Sequence, residues 1–75
     1  MTTPVRDHVA AEMRAEVARQ QLTQSQLGER MSRPQWWVSR RLTGAVPFTT
    51  EELVMFAEAL GVPVTRFLPD GEAAA

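Results

Sequence analysis

The stretch TQSQLGERMSRPQWWVSRRLTG, Thr23 to Gly44, holds the signals for two short helices with almost nothing between them. Thr23 and Gln26 have the spacing of a capping box, in which the hydroxyl accepts from a first-turn amide while the glutamine side chain reaches back to the cap. This predicts a helix over about 24–31. Proline is tolerated only in the first turn of a helix, so Pro34 opens the next one, over about 34–42, and Gly44 closes it. Helices shorter than about 12 residues are marginal in water on their own. Each must therefore bury a face against its neighbours, and the spacing assigns Leu27 and Met31 to that face in one helix, Val38 and Leu42 in the other. Gly28 sits in a helix interior, where it costs about 1 kcal/mol relative to alanine. Its presence there predicts that another helix crosses closely at that point.

The flanking segments supply the rest of a core. Thr3 and Pro4 read as a cap followed by a first-position proline, and Val5, Val9, Met13 and Val17 recur every four residues, predicting a first helix over about 4–20. His8 lies beside that stripe and reads as a solvated edge group. Thr49 and Glu52 form a second capping box, with Phe48 and Leu53 at the spacing of a hydrophobic staple. The fourth helix, over about 50–60, is expected to bury Leu53, Phe56, Ala57 and Leu60 and to stop at Gly61. A fifth, short helix is expected from Val62-Pro63 to Leu68, then a turn at Pro69-Asp70-Gly71 and a frayed end. The expected fold is an all-α, compact five-helix domain spanning residues 1–75.

Several function classes are set aside by what the chain lacks. It has no cysteine and one histidine, so neither a disulfide framework nor a zinc site of the usual ligands can be built, and no metal or other cofactor is expected. The longest purely apolar run, Leu53 to Ala57, is far short of the roughly 20 residues that span a bilayer. MTTPVRDHVA has no signal-peptide apolar region, and the expected location is the cytoplasm. Paired carboxylates in a pocket and a phosphate-cradling glycine loop are also missing, which argues against an enzyme. Nothing suggests a small-molecule ligand.

The net charge of -1 argues at first against nucleic acid. It conceals a segregation: residues 22–44 carry Arg30, Arg33, Arg40 and Arg41 against Glu29, a local +3, while residues 45–75 carry five acids against Arg66, a local -4. The positive charge surrounds Trp36-Trp37. Successive side chains on a helix are turned about 100° from each other, so one face cannot bury both rings. With Val38 and Leu42 inward, Arg40 points away from the core with Trp36 close beside it, Arg33 shares that direction, and Ser39 and Trp37 fall on the flanks. An exposed tryptophan beside arginine marks a binding surface.

A helix, a break of about three residues and a second helix with an arginine-rich aromatic outer face make a helix-turn-helix, whose second helix can enter the DNA major groove while the first lies across the phosphate backbone. On LTQSQLGERM, the V-S-R of the next helix, Gly44 and LVMFAEALGVPVTRFL, the segment from Leu22 to Leu68 resembles the phage lambda repressor and Cro family, also called the XRE family. That resemblance implies that Gln24 contacts phosphate and supports the recognition helix, and that Gln35, Trp36, Ser39 and Arg40 face bases. An arginine fork suits guanine O6 and N7, and a glutamine suits adenine N6 and N7. Trp36 would then read a thymine methyl or pack on the sugar-phosphate wall. Arg33, Trp37, Arg41 and Thr43 are assigned to phosphates. The family has small apolar residues at the places of Arg33 and Arg41 and glycine at that of Ser32, so two rotations of the recognition helix stay open, with either Trp36 or Trp37 facing the groove.

One short recognition helix makes few base contacts, and useful specificity normally requires two copies on half-sites about one helical turn apart. A homodimer on an inverted-repeat operator in double-stranded DNA is expected; Phe67 and Leu68 can close the core, and are the candidate contact residues if the core leaves them exposed. Without a separate sensor domain, such a chain would act as a phage- or prophage-type repressor or Cro, or as an antitoxin-like autoregulator. A second reading keeps the fold and changes the partner: Trp36, Trp37 and Phe67 would anchor another protein, because tryptophan and arginine are also the usual hot-spot residues.

Overall fold

Residues 4–69 are described by a computed structural model, and in them both capping boxes form. The Thr23 hydroxyl accepts from the Gln26 amide at 3.0 Å while the Gln26 side chain accepts from the Thr23 amide at 2.9 Å. Thr49 and Glu52 do the same at 3.1 Å in each direction. The helices so started are α2, Gln24–Met31, and α4, Thr50–Leu60; α1 covers Val5–Arg19 and α3 covers Gln35–Leu42.

The fifth helix is corrected: Val64–Phe67 is a single 3-10 turn, so the described residues form four α-helices. The reason is local. Pro63 caps the turn, and Leu68 precedes Pro69, which pushes it out of helical backbone into an extended conformation, φ -90° and ψ 154°. The start of α1 also shifts. Pro4 is itself the cap, with its carbonyl accepting from Asp7 and His8 at 3.0 Å, and Thr3 lies outside the described residues, as do Asp70 and Gly71 of the expected last turn.

α1 lies against α3 and the 3-10 turn, and α2 packs on both α3 and α4. Val9, Met13 and Val17 meet Leu27, Met31, Val38, Leu42, Phe56, Ala57, Leu60 and Phe67 in one core. Val5 departs from the expected stripe and is 57% exposed, because it opens the helix beyond the reach of that core. Leu53 is only half-buried, packed on the core beside Phe48 as the staple predicts. Glu16, a residue the sequence reading passed over, is buried at the core's edge. Its carboxylate accepts from Arg19 at 2.8 Å, Gln20 at 2.9 Å and Arg66 at 3.1 Å, and the Gln20 amide also donates to the Leu60 carbonyl at 2.7 Å. One carboxylate thus ties the end of α1 to the 3-10 turn.

Gly28 has a packing reason, though the nearest neighbour is not a crossing helix. A Cβ there would stand 2.6 Å from the carbonyl oxygen of Arg33, whose amide donates back to the Gly28 carbonyl at 2.9 Å. The chain can turn this tightly because Ser32 takes the left-handed conformation, φ 56° and ψ 44°. Val38 of α3 sits just behind, 3.6 Å from the same Cβ position.

Candidate nucleic-acid interface

The rotation of α3 follows from its buried pair. Val38 and Leu42 are in the core, which turns Trp36 and Arg40 outward, and Trp36 is 61% exposed. Trp37 falls on the flank that meets α4. Its ring stacks on Phe56 with centroids 5.8 Å apart and planes 10° from parallel, and Phe48 closes on Phe56 edge-on at 4.9 Å. Of the two open rotations, the structure adopts the one in which Trp36 faces out.

Arg41 completes the Trp37 flank. Its guanidinium lies 3.8 Å from the Trp37 ring centroid, donates to the Trp37 carbonyl at 3.1 Å, and pairs with Glu52, Nη2 to Oε2 at 3.2 Å and Nε to Oε1 at 3.1 Å. The second contact has ion-pair distance without hydrogen-bond alignment, so Nε is buried without a partner in the hydrogen-bond sense. Burial pushes the Glu52 carboxyl up, but the hydrogen bonds from Arg41 and Thr49 and the Arg41 charge outweigh it and hold the group below its ordinary value. Arg41 is thus committed to a partly buried ion pair and the Trp37 ring to the α3–α4 contact, which sets both apart from the open face of α3. The i, i+4 spacing of Trp37 and Arg41 was the signal in the sequence that pointed this way.

The other arginines are disposed differently. Arg33 is exposed, 5.3 Å from the Trp37 centroid, with a long 3.4 Å bond to the Ser32 carbonyl. The Arg40 guanidinium, on the outward face, has no hydrogen-bond or ion-pair partner among the described residues. Arg30 is turned away, donating to the Ala59 carbonyl of α4 at 3.1 Å. Gln35 is exposed at the start of α3, where its side-chain carbonyl accepts from the Ser25 hydroxyl of α2 at 3.1 Å. Gln24 and Ser39 are half-buried, and Thr43 is exposed with its hydroxyl on the Arg40 carbonyl at 3.2 Å. From α1, Arg14 donates to the Leu42 carbonyl and so places a cation at the negative end of α3.

α3 thus presents Gln35, Trp36 and Arg40 on an open face, with Arg33 and Thr43 at its two ends. Phe67 is fully buried and closes the core, which removes it from the candidate subunit contact; Leu68 remains 38% exposed. Among the described residues no group of three or more His, Cys, Asp or Glu is placed to hold a metal, and no helix is long and apolar enough to cross a membrane.

The family model described as a helix-turn-helix domain matches residues 8–67, which takes in all of α2 and α3. Among solved structures, the chain is similar to the clp gene regulator ClgR from C. glutamicum, with a TM-score of 0.79, 23% identity, and coverage of 85% of this chain and 83% of that one. No curated protein gives a match.

Proposed function

Because the chain belongs to the helix-turn-helix domain family, we propose that it binds double-stranded DNA sequence-specifically as a small transcriptional regulator, with α3 in the major groove and α2 across the backbone. The observation that carries this is the outward face of α3: an arginine without a protein partner, a glutamine steered by Ser25 and a bare indole, on a rod of suitable width for the groove. Arg40 reads guanine, Gln35 reads adenine, Ser39 lines the edge of the contact, and Gln24, Arg33 and Thr43 hold phosphates.

In this reading the protein works in the cytoplasm as a homodimer on an inverted repeat, with Leu68 in the subunit contact, and its type is that of a phage- or prophage-type repressor, a Cro or an autoregulator. Titrating a bound duplex with salt tests the DNA reading. Affinity should fall steeply, the log-log slope being about -0.9 per phosphate neutralised. A salt-insensitive or absent interaction would transfer the Trp36 face to a protein partner.

A further inference from the structure

Trp36 is the one exposed aromatic ring of α3 and the second residue of that helix, so in the proposed complex it enters the groove among the N-terminal residues that approach base edges. Its chemistry there is restricted. The indole has one N–H donor, no acceptor, and a large apolar surface. On the major-groove edge of DNA the apolar group is the C5-methyl of thymine, and beside it lies the O4 acceptor. The sugar-phosphate wall is the less suitable target, because the helix flank that would face it carries Trp37, already packed on Phe56 and Arg41.

Resting on the DNA-binding reading, we propose that Trp36 forms a 5-methylpyrimidine subsite: the ring covers the C5-methyl and the indole N–H favours the O4 acceptor next to it. Cytosine presents an N4 amino donor in place of O4, so methylation of cytosine restores the apolar contact but not the polar one. The order of preference at this position is thymine, then 5-methylcytosine, then cytosine. Arg40 stands one turn further along the same face, about 6 Å on, which places its guanine about one to two base pairs from the methyl. Binding at such a step responds to the methylation state of the DNA as well as to its sequence.

The test uses a duplex that the protein itself selects from a random pool, with each thymine replaced in turn by deoxyuridine, which removes the methyl and keeps O4. One thymine per half-site should weaken binding by about fourfold, the fold-change of one buried methyl-sized group. With Trp36→Ala, a substitution at an exposed site, that replacement should have no effect. At the same position 5-methylcytosine should bind more tightly than cytosine to the unaltered protein and equally to the variant. A flat methyl response in the unaltered protein, or an equal response in Trp36→Ala, overturns the subsite while leaving DNA binding intact. Failure to retain any duplex overturns the DNA reading and the subsite with it.

Discussion

Arg41 and Glu52 meet across the α3–α4 contact with side chains only 12% and 18% exposed, and the same carboxylate also completes the capping box that starts α4. Beyond its buried pair Val38 and Leu42, α3 is therefore also held by a residue outside the helix-turn-helix. Glu52 holds Arg41 on the Trp37 ring, Trp37 holds to Phe56, and the outcome is a helix rotation that leaves Trp36 and Arg40 free.

Glu52→Gln keeps the cap acceptor but removes the charge that Arg41 faces. Hydrogen bonds to charged groups contribute about 1.5 to 3 kcal/mol, so the variant should lose about that much unfolding free energy in urea denaturation. Arg40→Ala, on the open face of the same helix, should change stability by no more than about 0.5 kcal/mol. Equal effects of the two would mean that the ion pair does not hold α3.

The same contacts set an acid limb. Glu16 is held below its ordinary 4.5, first by the Gln20 hydrogen bond and then by Arg19, against the opposing effect of burial; Glu52 is held below 4.5 as described above. A lowered folded-state value means that the unfolded chain binds more protons, so this stability is fully present above the ordinary carboxyl range and is lost as pH falls through the folded-state values. Thermal unfolding should show a plateau above about pH 5 and a decline below it, shallower in the Glu16→Gln, Glu52→Gln double variant. An unchanged decline would place the acid sensitivity elsewhere.

Gly28 and Ser32 should respond in opposite directions. In Gly28→Ala the new Cβ meets backbone, not a movable side chain, and overpacking of this kind costs about 1 to 3 kcal/mol. Ser32→Gly relieves a left-handed residue of a penalty of about 1 to 2 kcal/mol, partly offset by glycine's greater freedom when unfolded. Denaturation midpoints should fall for the first variant and rise slightly for the second.

How far the sequence could be read depended on how local each signal was. Both capping boxes, the stop at Gly61 and the buried pair of α3 rest on spacings within one or two turns, and all are where the sequence puts them. Val5 and the fifth helix failed because a periodic or proline-led pattern does not say where the neighbouring core ends. Arg41 was read without its partner because Glu52 lies 11 residues away, and of the three donors to Glu16 only Arg19 and Gln20, three and four residues on, were within reach of sequence spacing; Arg66, 50 residues away, is brought in by the tertiary fold. Phe67 was an ambiguous aromatic near the end of the chain, and the buried side of the 3-10 turn took it.

Leu68 is the exposed member of the proposed subunit contact, beside Val5 on an apolar groove that also includes Phe48 and Leu53. Sedimentation on an inverted-repeat duplex should give two protomers per site, and Leu68→Glu should reduce this to one without unfolding the protein. One protomer on the repeat with the unaltered chain would rule out the dimer.

The central claim, that the outward face of α3 reads DNA sequence, is tested most directly by selecting binders from a random duplex pool at about physiological salt and sequencing the enriched DNA. The account predicts a site with two inverted halves, and selections with Arg40→Ala and Trp36→Ala that each relax a different position of the half-site, each position being worth about 1 to 3 kcal/mol. No enrichment, with the pool retained only at low salt, would contradict it and assign Trp36 and Arg40 to a protein interface.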